Sequence, residues 1–223
     1  MKRIAYILLF SCLIFLQGCF EIIEQVVLKN DGSGNFQLVV NMSKSKTKIN
    51  SIMKMKTVNG HDVPSKNEIT GKIKEIEKTF SKTAGITDVK TSVDFDNYIA
   101  TLNCNFTKSD RLNAAAKTLI DETKSKTKSA EKIYEYDAGK GIFARLNKFS
   151  LKDKYTKMSN ADKEIFATAN YTAIYKFEST IVSASNKDAA VSSGKKAVML
   201  KLNALDIITN KKSIENKINL TKQ

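Results

Sequence analysis

The sequence predicts an α+β fold, a mainly antiparallel sheet of hairpins packed with two to four helices, and three observations predict it. Alternating apolar and polar runs come in pairs joined by short Gly, Asn or Asp clusters, the signature of hairpins. Segments with apolar residues at helical spacing lie between those pairs, instead of alternating strictly one strand to one helix. The composition is that of a chain able to bury a core: 223 residues, 42% hydrophobic and 27% charged, with nine Gly and one Pro. These fractions exclude a disordered, collagen-like or linker-rich chain.

In chain order, Lys2 and Arg3 precede an apolar run from Ile4 to Leu16 broken only by Ser11. Thirteen residues rise about 20 Å as a helix against a hydrocarbon core of roughly 30 Å, so the run reads as the apolar region of a signal peptide. Leu16-Gln17-Gly18-Cys19 follows. This tetrad resembles the lipobox of bacterial lipoproteins. The resemblance implies that signal peptidase II recognises Leu16, Gln17 and Gly18 and cuts before Cys19, which carries a diacylglyceryl thioether and usually an acylated amine. Cys12 would be discarded with residues 1–18, and the mature charge would be +12 in place of +14 once Lys2 and Arg3 are lost. Residues 19–223 are then expected to form one envelope-exposed α+β domain, with a point near 128–131 where it could divide.

Phe20 to Lys29 is strand-like at once, with no Ser/Gly linker after the cysteine. Asp31-Gly32-Ser33-Gly34-Asn35 makes a turn, and Phe36 to Met42 alternates as a second strand. Residues 43–57 read as a helix carrying Lys44, Lys46, Lys48, Lys54 and Lys56 and no acid, followed by a loop at Asn59-Gly60-His61-Asp62. Ser65 and Glu68 form a capping box, and Ile69, Ile73, Ile76 and Phe80 share one helical face up to Gly85. A hairpin follows, Val89, Thr91, Val93 and Phe95 facing Tyr98, Ala100, Leu102, Cys104 and Phe106 across an Asp96-Asn97 turn. Ser109 opens a helix to about Ser125 with Leu112, Ala115, Ala116, Leu119 and Ile120 as its stripe. A further hairpin joins Ile133–Tyr136 to Phe143–Leu146, and one or two short helices with Ser159 as a cap occupy 151–168. Strands are predicted at 173–177, 180–183, 197–202 and 214–220.

Catalytic motifs are missing from the sequence: no G-x-S-x-G, H-E-x-x-H, P-loop or C-x-x-C occurs. Three cysteines build no disulfide framework, and one histidine leaves little for a metal site. His61-Asp62 sits in a Gly-flanked loop where exposed polar residues are ordinary. The loop opening at Asp31 resembles that of a calcium loop, but its twelfth position is Met42 where a bidentate Glu is required. Asp94 and Asp96 suit turn chemistry. Cys104 alternates with Leu102 and Phe106 and is expected to be buried and inert. No catalytic residue, metal or cofactor is therefore expected.

The layout of Leu16–Cys19, the hairpin at Phe20–Met42, the helix at 66–83 and the late strands at Tyr171–Leu202 is similar to the LppM-type lipoprotein domain. The late strands have neither the Pro nor the Trp often seen in that family. The resemblance implies a domain without catalytic residues, for which a lipid-binding role has been proposed in some members. The expected function is a non-enzymatic, membrane-anchored envelope lipoprotein that binds an apolar or lipid ligand. The alternative is a structural or accessory subunit of an envelope protein complex. Phe20-Glu21 places no aspartate after the cysteine, which resembles signals allowing transport to the outer membrane, the expected location. Nucleic acid is a poor partner for such a protein, since the lysine runs lack interleaved aromatics. Lys44, Lys46, Lys48, Lys54 and Lys56 either face anionic headgroups, at roughly 1 kcal/mol each, or form a solvated face.

Overall fold

The computed structural model describes residues 20–122, 132–146 and 151–222. The sequence-predicted signal segment, Leu16, Gln17, Gly18 and Cys19, and the dividing point near 128–131 lie outside the described residues.

The fold is α+β, as the hairpin pattern predicts. Strand β1 (Glu21–Leu28) and β2 (Gly34–Asn41) form the first hairpin, and α1 (Lys46–Ile52) follows after a short 3-10 turn. A small hairpin of β3 (Thr57–Val58) and β4 (His61–Asp62) leads to α2 (Lys66–Lys82), whose capping box at Ser65 and Glu68 is formed as predicted. Next come β5 (Ile86–Asp94), β6 (Ile99–Phe106) and α3 (Ser109–Glu122). The hairpin β7 (Tyr134–Asp137) and β8 (Ile142–Arg145) precedes α4 (Lys152–Thr156) and α5 (Asn160–Ala167). The last segment holds β9 (Asn170–Phe177), β10 (Ile181–Ala184), β11 (Ala189–Val191), β12 (Ala197–Asn203), α6 (Ala204–Ile208) and β13 (Asn216–Leu220).

Seven strands form one sheet in the order β11-β12-β9-β1-β2-β6-β5, and four form a second in the order β10-β13-β8-β7. Every pairing is antiparallel except that of β1 with β9, which runs parallel from Glu21↔Asn170 to Leu28↔Phe177. A crossover of well over a hundred residues separates these two strands, as parallel neighbours require some long return.

Alternation fixes which side chains enter the core. Ile22, Glu24, Val26 and Leu28 of β1 share a face with Phe36, Leu38 and Val40 of β2 and with Ala100, Leu102 and Cys104 of β6. That inner face is covered in two halves. Helices α2 and α3 lie over the β2–β6–β5 side, while the four-stranded sheet packs on the β1–β9 side. There Phe143 stacks with Tyr134 and meets Tyr175 and Phe177 at centroid distances of 5.2 and 5.5 Å.

Four stretches differ from the sequence expectation, the first being β11, an edge strand on β12 that the sequence reading did not include. The helix predicted over 43–57 stops at Ile52: the Met53 amide still reaches the Ile49 carbonyl, but the Lys54 and Met55 amides bond three residues back, to Ser51 and Ile52, which tightens and ends the helix. The chain then turns at Asn59 (φ 52°) and Gly60 (φ 79°), so the Asn-Gly pair forms a two-residue hairpin where the sequence suggests a loop. Helix α6 has no counterpart in the sequence expectation; Asn203 caps it by accepting the Leu205 amide at 2.8 Å.

Candidate functional site

Between the two halves of the inner cover lies an apolar cleft of about 370 Å³. Its floor is Phe36, Leu38 and Val40 of β2 with Ala100 and Leu102 of β6. Ile73, Ile76 and Phe80 of α2 form one wall, Leu112, Ala116 and Leu119 of α3 another, and Ile133 and Tyr134 the third. The stripes predicted for α2 and α3 supply both helical walls of this lining, because amphipathic helices laid on a sheet bring their apolar faces to it. Thr91 also lines the cleft, its hydroxyl engaged by Glu77 of α2.

At the end nearest the second sheet stand two charged side chains, Glu24 and Arg145. Glu24 lies on β1 and is 5% exposed; Arg145 lies on β8, so the pair ties the two sheets together. The Arg145 Nε and Nη2 groups donate to Glu24 Oε1 and Oε2 at 3.0 and 3.2 Å, a bidentate fork. The Tyr171 and Tyr175 hydroxyls donate to the same carboxylate, each at 2.8 Å. Arg145 Nη1 donates to the Leu146 carbonyl at 2.6 Å, and its guanidinium sits 5.2 Å from the Tyr134 ring centre. Asn113 of α3 fixes that ring's backbone: its Oδ1 accepts from the Ile133 and Tyr134 amides, and its Nδ2 donates to the Tyr134 carbonyl.

Burial alone would raise the Glu24 carboxyl, but the Arg145 charge and the three donors outweigh it and hold the group below its ordinary 4.5. Burial likewise works against the Arg145 charge and is outweighed by Glu24, so Arg145 stays protonated. Burial, then Glu24, raises the Tyr171 and Tyr175 hydroxyls, which remain donors at any physiological pH. The arrangement is thus a neutralised, internally hydrogen-bonded polar terminus on an otherwise apolar cleft.

Sequence reading did not single out Glu24, Arg145 or Asn113. A signal existed for Glu24: it falls in phase with Ile22, Val26 and Leu28, a charge on the buried face of a strand. Its partner is 121 residues away, which no local pattern reveals.

The residues that the sequence did single out are placed as follows. Cys104 is fully buried on the inner face, and burial pushes its thiol up to about 12. His61 stands exposed, with Nε2 3.5 Å from the Asp162 carboxylate, which also accepts from Asn59 Nδ2 at 3.2 Å. Asp162 is in turn bound to the cap residue Ser159, so it clips the β3–β4 hairpin to α5. Asp94 accepts the Asp96 and Asn97 amides, the turn role expected of it. Lys44, Lys46, Lys48, Lys54 and Lys56 are all exposed, and among the described residues none forms an ion pair. They surround α1 and lie apart from the cleft lining. Among the described residues, no three His, Cys, Asp or Glu side chains gather as metal ligands, and no helix is long and apolar enough to cross a membrane.

No family model matches the sequence, and no curated protein matches it. Among solved structures the chain is similar to the folded domain of the Mycobacterium tuberculosis protein LppM, determined by NMR, with 12% identity, a TM-score of 0.43, and 94% of each chain covered.

Proposed function

We propose that this chain is a non-enzymatic, membrane-anchored lipoprotein of the bacterial envelope whose domain takes an apolar, lipid-type ligand into the cleft between α2, α3 and the large sheet. The observation that carries the reading is the cleft itself. Its volume falls within the range of small-molecule sites, and the side chains turned into it are apolar except for Thr91 and the Glu24–Arg145 terminus. An acyl chain matches that lining, and anchoring rests on Leu16-Gln17-Gly18-Cys19.

Native mass spectrometry of the full chain after mild extraction tests the ligand. Lipid is expected to co-purify with the native chain and to be lost from Ala116→Phe, which fills the cleft. Bare protein in both cases would refute a lipid ligand. Anchoring is read separately: labelled palmitate is expected in the native chain and absent from Cys19→Ser.

A second reading, an accessory subunit of an envelope complex, is favoured by the outer face of the large sheet. Across its four central strands Ile23, Gln25, Gln37, Val39, Thr101, Asn103, Thr172 and Ile174 form an uncharged, half-buried patch apart from Thr172, which is buried. Asn35 and Asn103 are joined there side chain to side chain at 2.9 Å. Interface centres are depleted in charge in the same way. A stoichiometric protein in place of lipid in the same spectra would select this reading.

A further inference from the structure

We propose that α1 and the turn after it are a membrane-contact surface for anionic lipid headgroups, with Met55 entering the interface among the lysines. The proposal extends the envelope-lipoprotein reading and takes from it the presence of a bilayer.

Position comes first. The register Glu21↔Asn41 and Glu21↔Asn170 puts the first residue of β1 at one end of the large sheet, beside the last residue of β2. Helix α1 leaves from that same end, held there by the Met42 amide on the Tyr98 carbonyl at 2.9 Å and by the Tyr98 hydroxyl on Asn50 at 2.5 Å. Phe20 is also there, packed edge-on against Phe166. The chain that precedes Phe20, with its apolar run and Cys19, therefore reaches the domain on the side where α1 lies. A chain anchored at Cys19 has one extended residue between the anchor and β1, a reach of about 3.5 Å.

Chemistry matches this position. Lys44, Lys46, Lys48, Lys54 and Lys56 project into solvent, and Lys46 lies near enough to the Asp94 carboxylate to help lower it. Met55, between Lys54 and Lys56, is 52% exposed, whereas Ile49, Ile52 and Met53 of the same segment are half-buried. An exposed, flexible apolar side chain flanked in the chain by Lys54 and Lys56 is suited to the headgroup boundary, where the lysine stems snorkel and their charges meet lipid phosphates. The apolar cleft extends to Val40 and Ala100, next to the strand ends from which α1 departs. Contact at α1 would hold that end of the cleft toward the bilayer.

The chain contains no tryptophan, so Met55→Trp gives a single reporter. The full chain carrying it is reconstituted into phosphatidylcholine vesicles with or without phosphatidylglycerol, using acyl-chain-brominated lipid as quencher. Blue-shifted, quenched emission is expected with phosphatidylglycerol. It should be lost at high salt and in the background Lys44→Ser, Lys48→Ser, Lys54→Ser, Lys56→Ser, each lysine changing surface affinity about fivefold. Lys29→Trp, about 25 Å away beyond the other end of β1, should stay unquenched. Vesicle flotation reads anchoring independently. A Met55→Trp chain that floats with its indole unquenched overturns the contact surface alone; a chain that does not float overturns the anchoring as well. Shielding of these lysines from acetylation by a co-purified acidic protein, with no lipid contact at residue 55, would assign the face to a protein and overturn the proposal.

Discussion

Glu24 is a carboxylate on the buried face of a central strand, and its environment decides what it contributes. Removing one partner of such a pair leaves a buried, uncompensated charge, so Glu24→Gln is expected to destabilise the fold by about 3–5 kcal/mol in urea denaturation. The double variant Glu24→Leu, Arg145→Leu should cost less than the sum of its single changes, since neither leaves an orphan charge. The lowered folded-state value sets the pH dependence. Unfolded chains bind this proton near 4.5 and the folded chain only below that, so the contribution is complete above 4.5 and is lost as acid carries the pH through the folded value. The native urea midpoint should fall in that range more steeply than that of Glu24→Gln. Cys104 gives a second residue-scale expectation. With its thiol buried and pushed up to about 12, it should react with a thiol reagent only at the rate of unfolding, and rapid labelling would contradict the strand register.

Among the elements, α2 shows how a local signal can suffice. Its Ser65 oxygen accepts the Glu68 amide at 3.2 Å and the Glu68 carboxylate accepts the Ser65 amide at 2.7 Å, both available from four adjacent residues. Ser65→Ala is expected to cost about 1 kcal/mol, read as a lower Tm. The β1–β2 hairpin depends on a subtler feature. A Cβ on Gly34 would run into the Val27 carbonyl across the pair and into the Phe106 ring, so Gly34→Ala should loosen this hairpin end and weaken amide protection at Val27 and Leu28. Lysines 44 to 56 illustrate the opposite case. The segment reads as one long helix in the sequence, yet α1 ends after seven residues, where the amides of Lys54 and Met55 turn to carbonyls three residues back.

At the scale of the whole molecule, the cleft arises because two different covers share one sheet face. Helices and a second sheet cover neighbouring parts of the large sheet, and the junction between them is not filled by Leu38, Ile76, Leu119 or Tyr134. A ligand seated there stabilises the folded state by mass action, so delipidated chain should melt lower than extracted chain and recover on adding lipid. The same junction explains the position of the ion pair. Glu24 comes from the first sheet and Arg145 from the second, and only their docking brings the guanidinium to the carboxylate.

Taken residue by residue, the sequence alone determined the hairpins β1–β2, β5–β6 and β7–β8, the capping of α2, the apolar stripe of α3 and the inward face of Cys104. Each of these depends on side chains within a few positions of one another, where periodicity and turn chemistry act. It also supplied the Leu16–Cys19 tetrad and the lysines of 44–56, features of order along the chain. The β1–β9 pairing, the Glu24–Arg145–Tyr171–Tyr175 cluster and the cleft belong to the tertiary structure. The partners in that cluster lie 121 to 151 residues apart, and a strand's alternation states which side is buried without stating against what.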